Sequence, residues 1–212
     1  MKKTAILIDG AWFTNALLHS VRLPNNGVTA EIIHKNALTM LGKDEELFRI
    51  FYYDSMPFDG RAANPINNQE TDYSKTPQYA SRLRLFRELG EKPWVALRRG
   101  DLRARGWVLT EAYTKRMMQG GPHQPITEND VKMEFEQKGV DMRIGIDVAT
   151  LAIKRIVDRI LLVSGDMDMI PAMKLARREG IQVVVVQVGS RRLSPELIED
   201  SDLVRQFTIL TT

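Results

Sequence analysis

Apolar positions along the chain fall into short solid runs, and these alternate with stretches whose apolar residues recur at helical spacing. Thr4-Ala-Ile-Leu-Ile-Asp9-Gly10 is a run that ends on a carboxylate and a glycine, the pattern of a buried strand turning into a helix. Phe13, Ala16, Leu17 and Val21 then recur at helical spacing up to the breaker Pro24-Asn-Asn-Gly27. A second helix is predicted over 29–41. Leu47-Phe-Arg-Ile-Phe-Tyr-Tyr53 reads as a second strand finishing in Asp54 and closed by Pro57. The polar stretch 58–76 predicts a loop or lid, and 78–89 a helix. Two strands over 93–99 and 103–110, turning at Gly100-Asp101, read as a hairpin, and Gly120-Gly-Pro-His-Gln-Pro125 ends that region. In the last third, helices over 139–155, 170–179 and 194–207 alternate with strands over 160–164 and 181–188; Pro171 and Pro195 fit first-turn positions.

Ile160-Leu-Leu-Val163 and Val183-Val-Val-Val186 are apolar at every position, which predicts strands buried on both faces. With strands and helices alternating, the fold class is α/β: a Rossmann-like, mostly parallel sheet with helices on both faces. Ligands of such sheets lie beyond the C-terminal strand edge. Asp9 follows the first strand, Asp54 the second, and Asp166 and Asp168 the strand 160–164, so all four are expected at one rim. Like charges held together repel and raise one another's pKa unless a cation neutralises them. Oxygen ligands without cysteine or clustered histidine point to Mg²⁺ or Mn²⁺. His19, His34 and His123 lack ligand spacing and read as ordinary residues. A single acid after a strand is equally well a helix N-cap, so the joint pattern carries the metal reading.

The helix 139–155 brings two further acids. At about 100° per residue, Asp147 falls inside the stripe of Val140, Ile144 and Leu151, whereas Asp141 lies about 100° away in the first turn, where the helix dipole favours a negative charge. The two are about 9 Å apart along the axis. Asp141 is therefore the expected ligand and Asp147 a supporting group.

Length and composition narrow the class. The chain has 212 residues, 43% hydrophobic and 27% charged, enough for one domain with a sizeable core. No apolar run reaches a membrane span, and Asp9 interrupts the N-terminal stretch, so a soluble, cytoplasmic protein without a membrane partner is expected. The absence of cysteine excludes disulfides and thiolate chemistry. Net charge is only +3, but residues 82–116 hold ten basic and four acidic residues, a local +6. Tyr79, Trp94, Trp107 and Tyr113 are interleaved there, which suits a single nucleic-acid strand; Arg98, Arg99, Arg103 and Arg105 are the candidate contacts. A solvated face with aromatics filling the local core would look the same.

Ile8-Asp9-Gly10, Tyr52-Tyr53-Asp54, Lys138-Gly139-Val140-Asp141 through Asp147, and Ser164-Gly165-Asp166-Met167-Asp168 together resemble the LabA-like NYN domains of the PIN-like nuclease superfamily. The likeness covers about 4–55 and 137–207, which makes 1–212 a single NYN-like domain and 56–136 an insertion or lid within it. The resemblance implies an acidic Mg²⁺ or Mn²⁺ pocket and metal-dependent endonucleolytic cleavage of RNA, single-stranded by the character of the basic segment. It makes Asp9, Asp141 and Asp166 the principal metal ligands, with Asp168 beside them as a catalytic residue and Asp54 and Asp147 in support. One position departs: the family often has Asn in Asp-Gly-x-Asn, where this chain has Trp12.

Two other classes bear on function. A haloacid-dehalogenase-type phosphohydrolase needs a second acid where Ala11 stands, and the spacing of Asp166 and Asp168 does not suit it. A non-catalytic NYN module that binds RNA or a regulatory partner shares every feature except turnover. Homo-oligomerisation is left open.

Overall fold

The run 4–8 is the centre of β1 (Lys2–Asp9), fully enclosed from Thr4 to Ile8. In this computed structural model, which describes residues 1–20, 27–120 and 125–210, β1 is flanked by two parallel neighbours, β2 (Glu45–Met56) and β7 (Arg159–Val163). The parallel series continues through β8 (Gln182–Val188) to β9 (Leu203–Phe207). On the other side of β2 lies β5 (Val95–Leu109), whose later half pairs antiparallel with β6 (Val131–Lys138). The strand order is β6-β5-β2-β1-β7-β8-β9, a mostly parallel α/β sheet.

The chain divides into two compact units. The first comprises 1–54, 84–100 and 139–212, and the second 55–83 and 101–138. Residues 84–100, inside the stretch read as an insertion, thus belong with the first unit.

Strand alternation explains the layers of the first unit. Ala5, Leu7, Phe51, Tyr53, Ile160, Leu162, Val183 and Val185 bury against α5 (Val140–Ile153), α6 (Ile170–Arg178) and α7 (Pro195–Glu199). The intervening residues Ile6, Ile8, Tyr52, Leu161 and Val184 point the other way and are no more than 1% exposed. A second layer must cover them, and α1 (Gly10–Ser20) and α2 (Ala30–Thr39) bury Phe13, Ala16, Leu17, Ile33 and Ala37 in turn. Each fully enclosed Ile, Leu or Val is worth roughly 1.5–3 kcal/mol. At the N-terminal strand ends Glu45, with no side-chain exposure, is gripped by Arg159 and by both terminal nitrogens of Arg205, the latter at 2.7 and 2.9 Å.

Four expectations change. The predicted hairpin at Gly100-Asp101 is one continuous strand, β5: Gly100 lacks the positive φ that a tight hairpin turn demands, and the partner of 101–109 is β6. β6 alternates Val131, Met133 and Phe135 with Lys132, Glu134 and Glu136, the pattern of a half-buried strand, which the reading of the sequence passed over. The predicted closing helix 194–207 stops at Glu199. Asp202 then donates its backbone N–H to the Val183 carbonyl and accepts the Val183 N–H on its carboxylate, which pins the following residues as the edge strand β9. Asp54 lies inside β2 rather than at its end. The stretch 58–76 contains a small hairpin, β3 (Arg61–Ala63) with β4 (Glu70–Asp72), held by an Arg61–Asp72 ion pair of 3.3 Å.

The second unit is built around the Phe58, Tyr73 and Phe135 rings, whose centroids lie 5.4–5.5 Å apart. α4 (Glu111–Met118) adds buried Tyr113. The remaining helix, α3 (Pro77–Gly90), buries Leu85, Phe86 and Leu89 near its end. Val21, the breaker at 24–27 apart from Gly27, and the breaker residues 121–124 including His123 lie outside the described residues.

Candidate active site

The parallel register places the strand-end residues. Ile8 is level with Val163 and Asp9 with Tyr53, so Asp9, Asp54 and Ser164 meet at the C-terminal edge of neighbouring strands. The Ser164 hydroxyl donates to Asp9 Oδ2 at 3.4 Å, and the Asp166 N–H donates to Ser164 Oγ at 3.2 Å. Asp9 Oδ1 accepts the Trp12 N–H at 3.0 Å in the first turn of α1, and Asp166 Oδ1 accepts the Asp168 N–H at 2.9 Å. Both acids therefore also act as caps, each leaving lone pairs free.

Asp141 reaches the same rim from α5. Gly139, at φ 76°, makes the left-handed turn that ends β6 and starts the helix, which sets Asp141 in its first turn. The rim acids act on one another electrostatically. Burial pushes the Asp9 carboxyl up to about 6 from 3.8, and the Asp141 and Asp54 carboxylates add to the rise against the lowering effect of the Trp12 N–H. Asp141 is likewise raised, by desolvation and then by Asp166 and Asp168. Asp9, Asp54, Asp141, Asp166 and Asp168 thus share one negative field. Among the described residues, however, no three acids or histidines are gathered closely enough to hold a metal ion as they stand.

Asp147 is turned to a different purpose. Its carboxylate accepts from Arg98 Nε at 2.7 Å and from the Tyr53 hydroxyl at 2.9 Å, with its side chain 18% exposed. Burial, followed by the nearby Asp147 charge, raises Tyr53 well above its usual range. Asp147 is a charge-paired bracket between α5 and the sheet.

The basic candidates also separate. Arg98 is committed to Asp147 and lies over the Phe51 ring at 5.0 Å. Arg99 lies 6.0 Å from the Phe86 ring centroid. Arg105 makes a two-pronged pair with Glu136 at 2.7 and 2.8 Å. Arg103 is exposed and has no acid partner among the described residues. Of the interleaved aromatics, Trp94 is 63% exposed and Tyr113 is buried.

Further residues complete the rim. Ser164 orients Asp9, and Tyr53 holds Asp147. The Trp12 indole crosses Gly165 so closely that a Cβ there would fall 2.3 Å from its ring nitrogen. The Arg191 guanidinium lies over the same indole, 5.4 Å from its centroid. Ser164 and Tyr53 stand in the quoted motifs, but their partners are visible only in the register; Arg191 comes from the loop after β8 and had no sequence signal. A cavity of about 680 Å³ lies at the opposite strand ends, lined by Lys2, Asp158, Gln182 and Asp202; Asp158 and Asp202 there accept the Lys3 and Val183 N–H groups.

The NYN domain family profile matches residues 100–208, just over half of the chain. That span includes Lys138 to Asp141 and Ser164 to Asp168, while Ile8-Asp9-Gly10 lies outside it. Among solved structures, the chain is similar to a protein of unknown function from Vibrio parahaemolyticus, at 19% identity and a TM-score of 0.47, covering 97% of this chain and 92% of that one. No curated protein matches. No helix among the described residues is long and apolar enough to cross a membrane.

Proposed function

The chain belongs to the NYN domain family, and we propose, proceeding from that membership, that it is a metal-dependent ribonuclease that hydrolyses RNA phosphodiesters at the acid rim. The observation that carries this reading is the gathering of Asp9, Asp141, Asp166 and Asp168 in one field at the C-terminal strand edge, where mutual repulsion is left for a cation to relieve. The donor set fits Mg²⁺ or Mn²⁺: hard carboxylate oxygens with neither thiolate nor imidazole. Asp9, Asp141 and Asp166 would hold the ion, drawing closer than they stand without it, with Asp168 beside them and Asp54 supporting Asp9. A bound divalent cation supplies an activated water and charge stabilisation for in-line attack on a phosphodiester. The chain supplies the rest. Ser164 and the Trp12 N–H fix the orientation of the Asp9 carboxylate, and the bracket of Asp147, Arg98 and Tyr53 holds α5, and with it Asp141, against the sheet. A bound cation would favour the ionised Asp9 carboxylate and offset the cost of its burial.

A second reading is a non-catalytic NYN module that binds RNA or a regulatory partner. Trp12 supports it, since this indole stands where relatives often carry a polar Asn. Turnover decides between the two: purified protein with single-stranded RNA should cleave only with Mg²⁺ or Mn²⁺, and Asp166→Asn should abolish cleavage while remaining folded. Cleavage in EDTA as fast as with metal, or full activity of Asp166→Asn, overturns the metal reading. RNA binding without metal-dependent turnover selects the module.

A further inference from the structure

We propose that Arg191 and Trp12 form a subsite for one nucleotide of a single strand, Arg191 taking the phosphate and the stacked Trp12–Arg191 pair receiving the base. This rests on the RNA reading above and adds to it the residues that would hold the strand beside the acids.

The acid rim poses an electrostatic difficulty for a nucleic-acid strand. Asp9, Asp141, Asp166 and Asp168 repel a phosphodiester, so a strand approaching this rim needs cationic contacts on the protein side as well as an ion. Arg98 is spent on Asp147. Arg191 is not spent: among the described residues it has no acid partner, and its recorded contacts are one long hydrogen bond from NH1 to the Trp12 carbonyl, 3.4 Å, and a place over the indole, 5.4 Å from its centroid. One of its five N–H donors is thus engaged, which leaves the planar fork available for two phosphate oxygens.

Position follows from the same indole. Trp12 gives its backbone N–H to Asp9, and its ring lies against Gly165, the residue between Ser164 and Asp166. Arg191 follows β8, its N–H donated to the Val188 carbonyl at 3.3 Å, and so belongs to the same C-terminal edge as the acids. The close approach of Trp12 explains why a glycine stands at 165: any side chain there would displace the ring. Guanidinium planes and aromatic faces both accept stacked bases without sequence preference. A bare packing role for Arg191 predicts no effect on ligand binding, and that contrast makes the proposal testable.

The test is the fluorescence anisotropy of a short labelled oligouridine in EDTA, titrated over a range of salt. Wild type, Arg191→Ala, Arg191→Lys and Arg192→Ala are compared, with a thermal melt of each. Arg191→Ala should bind about tenfold more weakly and lose about 0.7 from the log-log salt slope. Arg191→Lys should recover the slope but not the full affinity, because a lysine replaces the charge and neither the fork nor the stack. Arg192 is exposed and one residue away, so Arg192→Ala controls for loss of a nearby charge. If Arg191→Ala binds like wild type, or Arg192→Ala weakens binding as much, the subsite is overturned while the RNA reading stands. If Arg191→Ala melts low, Arg191→Lys decides alone: full affinity for it overturns the stacked subsite. Where wild type binds only with Mg²⁺ added, the same comparison is made with the metal present on a phosphorothioate probe; if it binds no oligouridine at low salt either in EDTA or with Mg²⁺, the RNA reading falls and the subsite with it.

Discussion

Replacing Asp9 by Asn separates the cost of the acid rim from its structural service. Burial and the neighbouring Asp141 and Asp54 carboxylates hold the Asp9 carboxyl up at about 6 against an ordinary 3.8. A folded pKa above the unfolded one means that the folded state binds the proton more tightly. Ionisation therefore costs stability, nothing below about pH 4, increasingly between 4 and 6, and in full above 6. Roughly two pKa units at about 1.4 kcal/mol each set a ceiling near 3 kcal/mol. Asn retains an oxygen for the Trp12 N–H, so the cap on α1 survives, while contact with the Ser164 hydroxyl must be remade. A net gain of about 1–2 kcal/mol is expected at pH 8 in EDTA, or about 2–8 °C in melting temperature for a chain of this size. The assay is a set of melts of wild type, Asp9→Asn and Asp9→Ala at pH 4, 6 and 8, each in EDTA and with Mg²⁺. The Asn variant should melt higher than wild type at pH 8, converge with it at pH 4, and gain less from Mg²⁺. The Ala variant should fall below Asn by about 1 kcal/mol for the lost cap. A lower melt for Asp9→Asn at pH 8 in EDTA, or a gain that does not change with pH, refutes the reasoning.

Three further outcomes follow from the geometry. Asp147→Asn and Arg98→Ala should each lower stability by about 1–3 kcal/mol with or without metal, and a double-mutant cycle should show them coupled, since the half-buried pair shares one bidentate contact. Acid should weaken the protein through Glu45: its carboxyl is held down at about 2 because Arg205, Arg159 and the Gly42 N–H outweigh its desolvation, so the stabilisation present above about pH 4.5 is lost as pH falls towards 2. Urea melts should then show Glu45→Gln less stable than wild type by about 3–5 kcal/mol at pH 7, with the gap closing in acid. In RNA binding, Arg103→Ala should flatten the salt slope by about 0.7 whereas Arg98→Ala leaves it unchanged, because the Arg98 charge is already taken by Asp147.

The sheet was legible because its strands are solid apolar runs: 4–8, 160–163 and 183–186 admit no amphipathic alternative, and parallel register then follows from the intervening helices. Where runs were mixed, reading by segment failed. β5 carries a glycine that resembles a turn signal but keeps an ordinary φ, and β6 was passed over although Val131, Met133 and Phe135 alternate with charged residues as in a half-buried strand. The end of α7 is set by Asp202, whose hydrogen bonds reach Val183 across the sheet. The rim acids were visible as residues following strands. Their bonding was not: that Ser164 faces Asp9 depends on Ile8 lying level with Val163, a register no local pattern encodes.

Asp147 shows how far an angular argument can go. The stripe of Val140, Ile144 and Leu151 correctly turns it inward, and a carboxylate facing inward must find partners. Helix periodicity gives its direction but not what waits there. Arg98 was read as a nucleic-acid contact because it belongs to a basic run, and it is the counter-charge for this buried acid. A count of charges along a sequence therefore overstates the field presented to a ligand. Part of the +6 in residues 82–116 is consumed by Asp147, Glu136, Asp130 and Glu31, acids outside the window that fold onto it. Several cations are left without acids among the described residues, Arg103 in the second unit and Arg191 at the rim of the first among them, and Arg191 lies outside the segment whose composition suggested nucleic acid.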